Sequence, residues 1–181
     1  MARFTALLDA CVLYPAPLRD LLLEVAVTDL YRAKWSYAVQ EEWIGAVLRE
    51  RPDLNRQQLE RTRDLMNAHV RDALVTDFEP LIEILNLPDA NDRHVLAAAI
   101  KGHADLIVTT NLNDFPPDEL SRWEIEAQHP DEFLQHQFHL APAAFLQAVK
   151  TVRSRLKNPP YSVEEYLDTL RRQGLLDRED D

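Results

Sequence analysis

Residues 87–116, LPDANDRHVLAAAIKGHADLIVTTNLNDFP, decide how this chain folds. A turn-rich approach (Asn86, Pro88, Asp89, Ala90, Asn91) gives way at Asp92 to a run with Val95, Leu96, Ala98, Ala99 and Ile100 at helical spacing. Gly102 stands where a helix C′ stop is expected. Residues 106–109 then read Leu-Ile-Val-Thr, the short apolar run of a strand buried on both faces. Residues 111–117 form a loop. A helix feeding a fully buried strand is the repeating half of an α/β fold with a parallel sheet.

The same alternation extends outward. Residues 4–8 predict a buried strand ended by Asp9, and Pro17 suits the first turn of a helix carrying Leu21, Leu22, Val25 and Leu30. A short strand is expected at 35–37. A helix follows over 39–50, with Trp43, Ile44, Val47 and Leu48 as its inner face. Asn55 with Gln58 reads as a capping box for a helix running to His69. Residues 73–76 and 124–127 suit short strands, and 78–85 a helix. Two helices, 142–156 and 162–173, are separated by Asn158-Pro159-Pro160.

The chain has 181 residues, 46% of them hydrophobic, enough for one full core with a helical appendage. Its net charge is −11, which excludes a nucleic-acid binder that works through a basic surface. Residues 76–142 hold thirteen acidic and three basic side chains, a net −10, so the acidity is concentrated there. No apolar run approaches the ~20 residues of a membrane span. A strand-like run begins almost at once, without signal-peptide anatomy. The single cysteine, Cys11, allows no internal disulfide, and a reducing cytoplasm is the expected setting. Three scattered glycines exclude a P-loop or dinucleotide fingerprint.

In open α/β sheets, chemistry collects where strands end and helices begin. Asp9, the Glu41–Glu42 pair, Asp92 and Asp114 all fall at such edges. Each has a simpler reading. Asp9 suits a turn, Asp92 or Asn91 an N-cap, Glu41 and Glu42 the first turn of a helix, and Asp114 an Asx turn before proline.

Together, FTALLDACVLYPAPLRDLLL, WSYAVQEEWIGAVL, LPDANDRHVLAAAI and DLIVTTNLNDFP resemble, in order over about residues 3–140, the PIN-domain nucleases, which include VapC-like ribonuclease toxins of toxin–antitoxin pairs. The resemblance implies a three-layer α/β/α domain with a central, mostly parallel sheet over residues 1–142. Residues 143–181 would form a C-terminal helical extension with an acidic tail. It places the family's acids on Asp9, Glu42 (with Glu41 as alternative), Asp92 and Asp114, and its hydroxyl and polar positions on Thr109 and Asn111. Cys11 stands where many members carry Asn or Ser. The implied activity is RNA phosphodiester hydrolysis with Mg²⁺ or Mn²⁺ held by the four carboxylates, which would otherwise repel one another. Thr109 and Asn111 would orient water, phosphate or a carboxylate. An RNA substrate, an antitoxin partner and a homodimer follow from the same resemblance, and no membrane association.

Arg49, Arg51, Arg56, Arg61 and Arg63 could guide a phosphate backbone, but the interleaved Glu50, Asp53, Glu60 and Asp64 favour a salt-bridged surface. Arg93 could meet phosphate or pair with an acid. Lys150, Arg153, Arg155 and Lys157 give the C-terminal extension a basic face. A phosphatase-like Asp nucleophile would want a second Asp where Cys11 stands, and a receiver domain a late Lys that residues 102–149 lack. A Cys11 nucleophile and a zinc site at His129, His136 and His139 are disfavoured. The non-enzymatic alternative is a PIN-like RNA- or protein-binding module.

Overall fold

The computed structural model describes residues 3–155. Five strands form one parallel sheet: β1 (Thr5–Leu8), β2 (Arg32–Ser36), β3 (Leu74–Val75), β4 (Leu106–Val108) and β5 (Glu126–Gln128), in the order β3-β2-β1-β4-β5. β1 lies at the centre and all four of its residues are buried, as its apolar run requires. It pairs Ala6 with Ala33 on one side and Ala6 with Leu106 on the other. Helices complete a three-layer α/β/α arrangement.

The order of strands reverses at β1 and β4, which makes their carboxyl ends the topological switch point of the sheet. Asp9 follows β1 directly and Thr109 follows β4 directly. α1 (Ala10–Leu13) and α2 (Ala16–Val27) follow β1, α3 (Tyr37–Glu50) follows β2, and α5 (Arg93–Lys101) packs on β1 and β2 before β4. α4 (Arg56–His69) starts with the expected box: the Asn55 side chain accepts from Gln57 N at 2.8 Å, and Gln58 Oε1 accepts from Asn55 N. Pro17 occupies the first turn of α2, and Asp29 at φ 73° breaks the chain away before Leu30 can join that helix.

Several expectations shift for local reasons. α3 begins at Tyr37 rather than 39, because Ser36 caps it by accepting from Val39 N at 3.1 Å. Glu41 and Glu42 therefore stand beyond the first turn, where the helix dipole does little for them. Residues Glu79–Ile84 wind as a 3₁₀ helix rather than an α-helix, with Pro80 contributing no backbone donor. Gly102 is the C-cap itself at φ −82°, and His103 at φ 55° takes the left-handed position. What Gly102 provides is space: a Cβ there would lie 2.9 Å from Val75 Cγ2 and 3.1 Å from Ala98 O.

α6 (Pro117–Leu120) and α7 (Pro130–Leu140) have no counterpart in the sequence reading. α7 is capped by His129, whose Nδ1 accepts from Asp131 N at 3.1 Å, and it buries Phe133, Leu134 and Gln137. α8 (Pro142–Ser154) packs on α2 and α7, and Arg155 pairs with Glu24 at 3.1 Å. The expected break at Asn158-Pro159-Pro160, the expected helix 162–173, Lys157 and the acidic tail lie outside the described residues. No helix among the described residues is long and apolar enough to cross a membrane.

Candidate active site

Asp9 is held by three donors. Its Oδ1 accepts from Ala10 N at 2.8 Å, so the residue N-caps α1, and its Oδ2 accepts from the Thr109 hydroxyl at 2.9 Å. The Cys11 thiol lies 3.6 Å from the same Oδ2. Asp9 is 7% exposed. Burial raises its pKa, and the negative charge of Glu42 adds to that, while the bonds from Thr109, Ala10 and Cys11 pull the other way. Turn chemistry explains one oxygen. The other is turned to the end of β4, a hundred residues away in sequence.

Thr109 is fully buried and is the connector. Its Oγ1 donates to Asp9 and accepts from Asn111 N at 3.0 Å, which ties the β4 exit to the β1 exit. Cys11 Sγ accepts from Thr110 N at 3.4 Å. Burial, and then the charge of Asp9, push the thiol's pKa up, so Cys11 is a neutral donor rather than a nucleophile.

Asp92 ends a short 3₁₀ turn, Ala90–Asp92, and precedes α5, but its side chain makes no capping bond. The capping expected of Asp92 or Asn91 is performed one turn earlier by Asp89, which accepts from Asn91 N at 2.9 Å. Arg93 donates to Ala90 O at 3.2 Å and so braces this turn instead of pairing with an acid. The Asp92 carboxyl is pushed up to about 6 by desolvation, then by the charges of Asp114, Asp89, Asp9 and Glu42.

The two glutamates separate. Glu41 turns to α4, where it pairs with Arg56 and, at 3.6 Å, with Arg63. Glu42 turns toward the acids and receives His94 Nε2 at 2.5 Å on Oε1. His94, on the first turn of α5, has no role in the sequence reading. The only signal for it is a His two residues after Asp92 at the head of an otherwise apolar helix. Its Nδ1 is buried without a hydrogen-bond partner in the described structure.

Asp9, Glu41, Glu42, Asp92 and Asn111 line one cleft of about 600 Å³, together with Cys11 and Arg49. Asp114 does not line it. It ends the 3₁₀ turn Leu112–Asp114 and acts on Asp92 through its charge. The cleft thus combines groups from the ends of β1 and β4, from α3 and from the start of α5. The expected arginine cluster divides: Arg51 pairs with Asp53, and Arg56 and Arg63 with Glu41 and Glu60. The histidines considered for zinc do other work, since His129 caps α7 and His136 Nδ1 lies 3.4 Å from Gln128 Nε2.

A model of the PIN domain matches residues 5–113, more than half of the chain. The chain belongs to the PIN-domain family. A model of the VapC50 C-terminal domain matches residues 130–177, a stretch that includes α7 and α8. Over 82 residues this PIN protein is 43% identical to the protein named Putative ribonuclease VapC50 of Mycobacterium tuberculosis (strain ATCC 25618 / H37Rv), an alignment covering 45% of the chain and 48% of that relative. The chain therefore spans about half the length of the curated relative it matches. No solved structure gives a significant match. The PIN match contains Asp9, Glu42, Asp92, Thr109 and Asn111, and stops one residue before Asp114.

Among the described residues of this PIN domain, no three His, Cys, Asp or Glu side chains are gathered as the cage of a bare ion. The donor chemistry fits a hydrated one. Mg²⁺ is bound through one or two carboxylates and keeps several waters. Asp9, Glu42 and Asp92 offer hard oxygens to one cleft, and the charges of Asp9, Glu42 and Asp114 all raise Asp92, the imbalance a divalent cation neutralises.

Proposed function

We propose that this chain is an endoribonuclease that hydrolyses RNA phosphodiesters with the help of Mg²⁺ or Mn²⁺ held at Asp9, Glu42 and Asp92, with Asp114 adding charge from beside the cleft. The observation that carries the reading is the convergence of carboxylates from three remote segments on one cleft at the switch point of the sheet. Membership of the PIN family and likeness to a relative named a ribonuclease support it. A divalent cation bound there supplies a more acidic water and charge neutralisation for the pentavalent transition state.

The residues of the chain have distinct tasks. Asp9 is fixed by Thr109 and Ala10 so that it does not swing away from the cleft. His94 holds Glu42 toward the same space. Asp92, free of capping duty, keeps its oxygens for the site. Asp114 adds negative charge behind Asp92. Asn111, on the rim, orients phosphate or water. In the reaction, a water oxygen bonds to phosphorus and gives up a proton, the bridging P–O bond breaks, and the leaving oxygen takes up a proton.

A toxin role with an antitoxin partner, a homodimeric state and a cytoplasmic setting belong to the same reading. The test is cleavage of single-stranded RNA with Mg²⁺ or Mn²⁺ by the wild type, Asp9→Asn and Asp92→Asn. Cleavage by the wild type and its loss in both variants are expected. No cleavage with any divalent metal, or equal cleavage by the variants, overturns the reading in favour of a non-enzymatic binding module.

A further inference from the structure

Among the residues that α3 turns to the cleft are Glu42, Gly45, Ala46 and Arg49. Their spacing is i, i+3, i+4 and i+7, one continuous stripe of a helix. The stripe begins with an acid of the proposed site and ends with a guanidinium. Between them stand two of the smallest residues, one of them glycine, which weakens a helix interior. A Cβ on Gly45 would lie 3.5 Å from Arg49 Nη1, an ordinary contact, so the guanidinium folds back beside the glycine.

Arg49 differs from the arginines around it. Arg51, Arg56 and Arg63 are each paired with acids. Among the described residues the Arg49 side chain has no ion pair or hydrogen bond, although it lines a cleft whose other charged members, Asp9, Glu41, Glu42, Glu50 and Asp92, are all acidic. Glu50 lies beside it and makes no ion pair with it. An unpaired fork of donors at the edge of an acidic cleft suits an anion that arrives with the substrate.

We infer that Arg49 anchors a phosphate of the RNA strand next to the one being cut. The inference rests on the ribonuclease reading. Backbone positions 42 and 49 are about 10 Å apart along the helix axis. Even folded back beside Gly45, the guanidinium stands about one turn from Glu42. It therefore meets a flanking phosphate, not the reacting one, and its contribution is to binding and register. Arg49 is a positioning residue, and the small residues at 45 and 46 leave the strand a path between it and the acids.

The experiment compares Arg49→Gln, Arg49→Lys, Gly45→Leu and Arg61→Gln with the parent. Arg61 is an exposed arginine of α4 outside the cleft and provides the same change of net charge. Binding of a fluorescein-labelled single-stranded oligoribonucleotide is read by anisotropy as a function of KCl, on the Asp9→Asn background to prevent turnover. KM and kcat are read separately on the otherwise native protein, and thermal melts verify folding. Arg49→Gln is expected to weaken binding about five- to tenfold. The log–log salt slope should become shallower by about 0.7, the value of one phosphate contact on a single strand. KM rises and kcat holds. Arg49→Lys recovers most of the binding, and Gly45→Leu, which keeps the charge but fills its place, resembles Arg49→Gln. Arg61→Gln leaves the slope alone. Equal losses in Arg49→Gln and Arg61→Gln, or a lower kcat at constant KM, overturn the inference. An unchanged slope in Arg49→Gln overturns it alone, whereas failure of the parent to bind RNA overturns it together with the ribonuclease reading.

Discussion

Asp92→Asn should make the metal-free protein more stable while removing its activity. The Asp92 carboxyl is raised from 3.8 to about 6 by burial and by the charges of Asp114, Asp89, Asp9 and Glu42. One pH unit of displacement corresponds to about 1.4 kcal/mol, so about 3 kcal/mol opposes its ionisation in the absence of screening. Asp92 is only partly buried, and solvent reduces this to about 1 kcal/mol. The Asp92 side chain makes no capping bond, so its replacement does not weaken the start of α5. In EDTA near neutral pH, Asp92→Asn should then melt about 2–4 °C higher than the wild type. The pH dependence fixes the cause. A carboxyl with a raised folded pKa gives the folded state the extra proton between about pH 4 and about pH 6, so wild-type stability falls as pH rises through that window. The gap between the two proteins should vanish below about pH 4 and stay constant above about pH 6. Mg²⁺ or Mn²⁺ reverses the order: a cation at a hundred times its Kd adds about 2.7 kcal/mol to the wild type and far less to the variant. A lower Tm for Asp92→Asn in EDTA at neutral pH, or a gap that persists at pH 4, would falsify the repulsion argument.

Thr109→Val, close in shape, removes the hydroxyl that donates to Asp9 and accepts from Asn111. Chemical denaturation should show a loss of about 1–3 kcal/mol, the penalty of leaving buried polar groups unpaired, and cleavage should fall. Glu42→Gln should abolish cleavage, whereas Glu41→Gln should keep it and cost at most about 1 kcal/mol, because Glu41 serves a partly exposed arginine network. His94→Ala, which releases Glu42, should weaken Mn²⁺ binding about tenfold in a calorimetric titration, and unaltered affinity would show that Glu42 needs no brace. Gly102→Ala should destabilise the fold by about 1–3 kcal/mol in urea titration, since the new Cβ must displace Val75 or the end of α5.

Much of the fold was legible because its determinants are local. The central strands of a parallel sheet are apolar on both faces, so residues around Leu7 and Ile107 declare themselves as short hydrophobic runs. The Asn55–Gln58 box declares the start of α4 in the same way. Where the structure departs from the sequence pattern, local chemistry is responsible. Ser36 moved the start of α3 by two residues, and Pro80 tightened a helix into a 3₁₀ turn. α7 is not legible in the sequence because its cap is a histidine and its buried apolar pair, Phe133 and Leu134, makes too narrow a stripe.

By itself the sequence determined the alternation of helices and strands and the presence of acids at the end of β1 and the start of α5. Both depend on residues within a turn or two of one another. It could not say which acids share a space. Glu41 and Glu42 are neighbours in sequence and both line the cleft, yet about 100° of helical rotation pairs one with Arg56 and Arg63 and the other with His94. Asp114 carries the expected charge but sits beside the cleft rather than in it. Arg49 is one arginine among five until packing pairs three of the others and leaves it facing the acids. Those distinctions belong to the tertiary structure, because burial, charge repulsion and unpaired donors depend on what lies across space and not on what comes next along the chain.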